Sequence, residues 1–155
     1  MSAVTDPIPF LDLAPQFRAL EAEWLATIRA SGAAGSFILG PQVTAFEREC
    51  AEYIGVKHAI AVANGTDSLV LSLRALGIGP GHEVITTPYT FFASSEAIDT
   101  VGATPVFADI RADSFTLDPA DVRRRITNKT RAILPVHIFG HPCEMDELLA
   151  IARAH

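Results

Sequence analysis

The sequence predicts an α/β fold: a mostly parallel sheet, preceded by a helical segment. Three observations carry the prediction. From residue 58 onward, short β-branched apolar runs alternate with helix-length amphipathic stretches. The runs are nearly continuous in their hydrophobicity and are bounded by Gly, Pro, Asp or Asn, which is the pattern of strands covered on both faces. Before them lie some fifty residues whose apolar positions recur at helical spacing. The chain therefore divides into an N-terminal helical segment, 1–56, and the first part of an α/β domain, 57–155.

In order, Asp12 is a cap and Pro15 suits a first turn, and Phe17, Leu20, Trp24, Leu25 and Ile28 mark one helical face until Ser31-Gly32 ends it. A Gly/Ala-rich loop spans 31–40. Pro41 opens a second helix carrying Val43, Phe46, Cys50 and Tyr53, and Gly55 closes it. Strands are expected at 58–64, 83–87, 104–110 and 131–138, with helices at 66–76, 91–101, 119–126 and 144–155. Such βαβ units connect by right-handed crossovers and bury both sheet faces. Ligands of open parallel sheets collect beyond the carboxyl ends of the strands.

Composition narrows the function classes. With 155 residues and 49% hydrophobic content the chain is long enough for a real core. A net charge of −6 and a pI near 5.2 leave no basic stripe for nucleic acid. No apolar run reaches membrane-spanning length, and the first residues lack the pattern of a signal peptide, so the sequence reads as cytoplasmic. Cys50 and Cys143 lie far apart without CxxC spacing and read as reduced thiols, Cys143 as an inert one. Arg123-Arg124-Arg125 reads as a solvated run near a helix C-terminus.

The strand ends hold the unusual residues. Val62-Ala63-Asn64-Gly65-Thr66-Asp67-Ser68-Leu69 takes an apolar run through a glycine turn into a helix, where unpaired amides and the helix dipole favour a phosphate. Gly65 permits close approach, and the Thr66 and Ser68 hydroxyls add donors; plain capping explains the same turn. After the next strand, Phe91 or Tyr89 is placed to lie against a planar ring, although both also fit a core. His137 and His141 flank a turn, and no carboxylate stands at metal-ligand spacing, so no metal is expected and His137 is kept as a hydrogen-bonding residue facing the rim. No G-x-S-x-G, Walker or H-E-x-x-H pattern occurs.

Taken together, Phe10-Leu11-Asp12-Leu13, Phe37-Ile38-Leu39-Gly40-Pro41, Ala63-Asn64-Gly65-Thr66-Asp67-Ser68-Leu69, Gly79-Pro80-Gly81-His82-Glu83-Val84-Ile85-Thr86, Tyr89-Thr90-Phe91-Phe92-Ala93, Gly102-Ala103-Thr104-Pro105-Val106-Phe107-Ala108-Asp109 and Ala132-Ile133-Leu134-Pro135-Val136-His137 resemble the DegT/StrS-type sugar aminotransferases over nearly the whole chain. The resemblance implies an incomplete fold-type-I large domain of a pyridoxal 5′-phosphate enzyme, working as a homodimer in amino sugar biosynthesis. It implies transfer of an amino group from glutamate, or glutamine, to a keto group of a nucleotide-linked sugar. By position it makes Gly65, Thr66 and Asp67 the phosphate cradle, mainly through backbone N–H groups, and Phe91 the ring stacked on the pyridine.

The chemistry also needs an internal lysine and a carboxylate facing the pyridine nitrogen. The two lysines, Lys57 and Lys129, precede strands and so stand at the edge away from the site. In the family both catalytic groups come later, and residues 144–155 read as a helix without a terminator. The sequence is thus expected to be the N-terminal part of such a transferase, carrying no catalytic residue of its own and poorly stable alone. Two alternatives stay open: a dehydratase on the same scaffold, and a non-catalytic phosphate- or nucleotide-binding module.

Overall fold

The computed structural model describes residues 9–155 and divides into two compact units, Met1–Ala61 and Val62–His155. In the first, helix α1 (Ala14–Ala34) starts where the Asp12 carboxylate accepts the Ala14 N–H at 3.0 Å, with Pro15 in the first turn. It does not stop at Ser31-Gly32. The Ser-Gly-Ala-Ala tail stays helical because a left-handed terminator is reached only at Gly35 (φ 62°), whose N–H returns to Gly32 C=O while Ser36 N–H returns to Ser31 C=O. The expected loop therefore begins later. Helix α2 (Pro41–Ile54) begins at Pro41 and ends at Gly55 (φ 76°), as the sequence pattern predicts.

Residues 58–64 do not form the first expected strand. They carry no ladder bonds among the described residues: the Ala61 N–H donates instead to the Glu47 carboxylate at 2.8 Å, and Ile60 and Val62 are exposed. A strand is defined by a neighbour that takes its N–H and C=O groups, and hydrophobic pattern alone does not supply one.

The second unit holds helix α3 (Gly65–Ala75), strand β1 (Glu83–Thr86), helix α4 (Ala93–Thr100), strand β2 (Thr104–Phe107), helix α5 (Pro119–Arg125), strand β3 (Thr130–Ile133) and helix α6 (Met145–Ala154). The three strands are parallel in the order β2-β1-β3, with Val84 opposite Pro105 on one side and Ala132 on the other. Alternation across the central strand sends Val84 and Ile85 to opposite faces. Val84 joins Leu73, Ile78, Ala97, Ile98 and Ala103 beneath α3 and α4, while Ile85 joins Ala108, Leu117, Val122, Cys143, Leu148 and Ile151 beneath α5 and α6. Both faces are covered, as the apolar runs predict.

Two strands are shorter than their apolar runs. β2 stops at Phe107 because Asp109 turns out of line, its N–H donating to the Asp121 carboxylate, and Ile110 pairs antiparallel with Leu117 instead. β3 stops at Ile133; one further bond, Leu134 N–H to Ile85 C=O, follows before Pro135, which has no N–H to give. The Thr86 hydroxyl takes over there, donating to the Leu134 carbonyl at 3.0 Å.

Candidate cofactor site

Helices α3 and α4 pack against one another, and their C-terminal ends meet at the edge where the strands begin. A β-carbon on Gly79 would lie 3.3 Å from the Val101 carbonyl, and one on Gly102 3.0 Å from the Pro80 ring. The Thr104 N–H donates to His82 C=O at the same edge. Both helices therefore run back against the direction of β1, and the N-terminus of each lies toward the end at which β1 stops.

At the start of α3, Asn64 is the cap. Its side-chain oxygen accepts the Asp67 N–H at 2.9 Å, and its amide donates to the Asp67 carboxylate at 3.0 Å. Asp67 is therefore engaged twice by the cap, and the amides of Gly65 and Thr66, which lie in the first turn, make no hydrogen bond among the described residues. Gly65 has no left-handed φ, and a β-carbon there would meet nothing within 4 Å. The chain's own conformation and packing do not require glycine at this position. The cap itself should be worth about 1 kcal/mol, so Asn64→Ala is expected to lower the unfolding free energy by that amount in a urea titration.

Phe91 lies on the loop between β1 and α4 and is 78% exposed. Stiffening comes from below: Tyr89 N–H donates to the Thr87 hydroxyl at 3.1 Å, and the Thr90 and Ser94 hydroxyls bond at 2.9 Å. Within these residues Phe91 packs into neither core cluster and sits on a held loop.

His137 also follows a strand end. Its Nδ1 accepts the Cys143 N–H at 3.1 Å, so the neutral ring carries its hydrogen on the exposed Nε2. The Cys143 thiol is buried and donates to the Val136 carbonyl at 3.2 Å, in keeping with an inert thiol. Among the described residues no three His, Cys, Asp or Glu side chains come together as a metal site. Lys129 sits at the opposite edge, its carbonyl accepting the Glu83 N–H where β1 begins.

Arg123-Arg124-Arg125 is exposed in the last turn of α5, as the sequence indicates, but its members are also paired. Arg124 and Arg125 each reach the buried Asp121 carboxylate at 2.8 Å, and Arg123 pairs with Glu147. Asp121 also accepts the Asp109 N–H at 2.7 Å. That backbone bond, followed by the two guanidinium groups and opposed by burial, holds its carboxyl down to about 2. The three- and four-residue spacing from Asp121 to Arg124 and Arg125 was the available signal, since such residues share one helix face. On the neighbouring loop the Arg111 guanidinium holds Asp113 down to about 2 in the same way.

The description "DegT/DnrJ/EryC1/StrS aminotransferase family" matches residues 18–155. The chain is 46% identical over 153 residues to dTDP-3-amino-3,4,6-trideoxy-alpha-D-glucose transaminase of Streptomyces venezuelae, covering 99% of this chain and 40% of that protein. It is 48% identical over 117 residues to GDP-perosamine synthase of Caulobacter vibrioides, covering 76% of this chain and 32% of that one. The crystal structure of S. venezuelae DesV superimposes with a TM-score of 0.95 at 46% identity, over 97% of this chain and 41% of that chain. The chain spans about 40% of the length of the curated relatives that match almost all of it. The chain belongs to the DegT/DnrJ/EryC1/StrS aminotransferase family.

Proposed function

We propose that these residues are the cofactor-gripping N-terminal part of a pyridoxal 5′-phosphate-dependent aminotransferase. The whole protein moves an amino group from glutamate or glutamine to a keto group of a nucleotide-linked sugar, in the cytoplasm and as a homodimer. The observation that carries this reading is Gly65: a glycine opening a helix, with no conformational need for it and open space where a side chain would be. Smallness there serves a ligand that approaches the backbone. The Gly65 and Thr66 amides donate to its phosphate, aided by the helix dipole and the Thr66 hydroxyl. Asp67, tied to Asn64, fixes that turn, its amide being committed to the cap. Phe91 offers its exposed ring to the pyridine, and His137 presents Nε2–H to the substrate.

The cofactor, when bound, supplies the electron sink for amino transfer. In this reading the catalytic lysine and the acid facing the ring nitrogen belong to sequence that the longer relatives have and these 155 residues do not contain.

Pyridoxal 5′-phosphate titrated into the chain should bind weakly and reversibly, read by absorbance, and borohydride should fix none of it to Lys57 or Lys129. Gly65→Val and Phe91→Ala should each weaken binding by about tenfold, the loss of about 1.4 kcal/mol. Circular dichroism should be unchanged, because both positions are exposed. Unaltered affinity in both variants, or a reduced adduct on either lysine, would contradict the proposal.

A further inference from the structure

The chain has two asparagines, Asn64 and Asn128, and they stand before unlike neighbours. Asn64 is followed by Gly65, so the next backbone nitrogen has no side chain beside it. That nitrogen is also uncommitted, because the Gly65 N–H lies in the first turn of α3 and makes no hydrogen bond among the described residues. Asn128 is followed by Lys129, whose side chain crowds the nitrogen and whose N–H is held by the Thr127 hydroxyl at 3.0 Å. Only Asn64 therefore pairs a primary amide with a free and unhindered backbone nitrogen.

We propose that Asn64-Gly65 is a self-modification site, closed by its own helix cap and opened whenever that cap breaks. The Gly65 nitrogen attacks Cγ of Asn64 and gives up its proton, while the Cγ–Nδ2 bond breaks with its electron pair leaving on nitrogen. Ammonia departs with that proton, and the ring left behind is a succinimide. Water then adds to one of the two ring carbonyls and opens it, giving aspartate or isoaspartate at position 64. No oxidant, reductant or partner is needed, since nucleophile and electrophile belong to adjacent residues.

The gate is Asp67. Its N–H donates to Asn64 Oδ1 at 2.9 Å and its carboxylate accepts from Nδ2 at 3.0 Å, so both ends of the amide are tied down. To turn its carbon onto the Gly65 nitrogen, the side chain has to break these bonds first. A cap worth about 1 kcal/mol slows the folded chain by about fivefold against a chain without one. Neither product restores the turn. Aspartate sets a second carboxylate against that of Asp67, where Nδ2 had donated, and isoaspartate lengthens the backbone ahead of the helix. Each also adds a negative charge at the turn assigned above to a phosphate.

The test is a time course of the 155-residue chain held in buffer and in urea, digested with trypsin and read by peptide mass. Peptide 58–74 carries Asn64, and Asn128 serves as the reference within the same molecule. The expected result is a gain of one dalton in 58–74, faster than at Asn128 and about fivefold slower in buffer than in urea. Enzymatic methylation of isoaspartate should label the same peptide. Asp67→Ala, which frees Nδ2, should speed Asn64 toward its rate in urea and leave Asn128 unchanged. Gly65→Ala should slow the reaction in buffer and urea alike without changing the fold, since a β-carbon there meets nothing within 4 Å.

The proposal is overturned if Asn64 in the folded parent keeps its mass as long as Asn128 does, or reacts as fast in buffer as in urea. It is also overturned if a folded Asp67→Ala chain reacts no faster than the parent, which would make Asp67 no gate. An unfolded variant would speed Asn128 as well, and the parent in buffer against urea then decides alone. The mass readout needs no ligand, so failure here leaves the cofactor reading standing, and failure of pyridoxal 5′-phosphate to bind leaves this site standing.

Discussion

Ile85→Ala is expected to cost about 4 kcal/mol of folding free energy, the largest effect of any single truncation in the chain. Ile85 has no exposed surface, lies in the strand hydrogen-bonded on both sides, and touches the cluster that joins α5, α6 and the loop residue Leu117. Removing three carbons there leaves a hole whose walls belong to sheet and helices at once, so collapse around it is limited. Domains of this size are stable by about 5–15 kcal/mol, so the loss takes a large share of the total. Urea denaturation of the parent, Ile85→Val and Ile85→Ala gives the check. The valine is expected to cost about 1 kcal/mol; an alanine effect no larger than that would show that the two faces of the sheet do not depend on this residue.

Asp121→Ala should follow, at about 2–3 kcal/mol. It leaves the Asp109 N–H without an acceptor and Arg124 and Arg125 without their shared carboxylate. Asp121→Asn, which keeps an acceptor but not the charge, should cost less. The pH dependence has a definite sign. A carboxyl held at about 2 in the folded chain, against 3.8 for the unstructured group, stabilises the fold above about pH 4 and loses that contribution as pH falls toward 2. Discounted for the exposed guanidinium groups, the amount is roughly 1–2 kcal/mol. Stability measured from about pH 6 down to pH 2 should therefore drop more steeply in the parent than in Asp121→Asn. Asp113→Asn is the control: its carboxyl is lowered similarly but is exposed, so its removal should flatten the curve less. Equal acid limbs in parent and Asp121→Asn would refute the assignment.

Local signals in the sequence were reliable where one residue decides the outcome. Pro41 and Gly55 bound α2, Asn64 and the Gly-Thr turn start α3, and Pro119 opens α5, each where the pattern indicates. The placement of Gly65, Phe91 and His137 at element ends was legible for the same reason, each being marked by punctuation residues. What was not legible depends on partners distant in sequence. The 58–64 run has strand composition but no ladder, and the early ends of β2 and β3 follow from Asp121 and Pro135. The role of Asp121 was not legible either: only the tertiary contact with Asp109 makes this buried first-turn acid, held by two exposed arginines, an anchor for the loop after β2. The contacts of the Tyr89 ring with Phe115 and Phe139 were invisible for a related reason, since the three loops are brought together only by the strand order.

The central place of β1 has a consequence for how the chain is made. This strand is synthesised first of the three, yet it is flanked on both sides by strands that arrive afterwards, the Thr86 hydroxyl waiting for a carbonyl 48 residues further on. Until that stretch leaves the ribosome, one side of β1 is an open edge that can pair with any passing strand, and Ile85 lacks the cover of Cys143, Leu148 and Ile151. Nascent chains halted between β2 and β3 should therefore be the most chaperone-dependent species this polypeptide passes through.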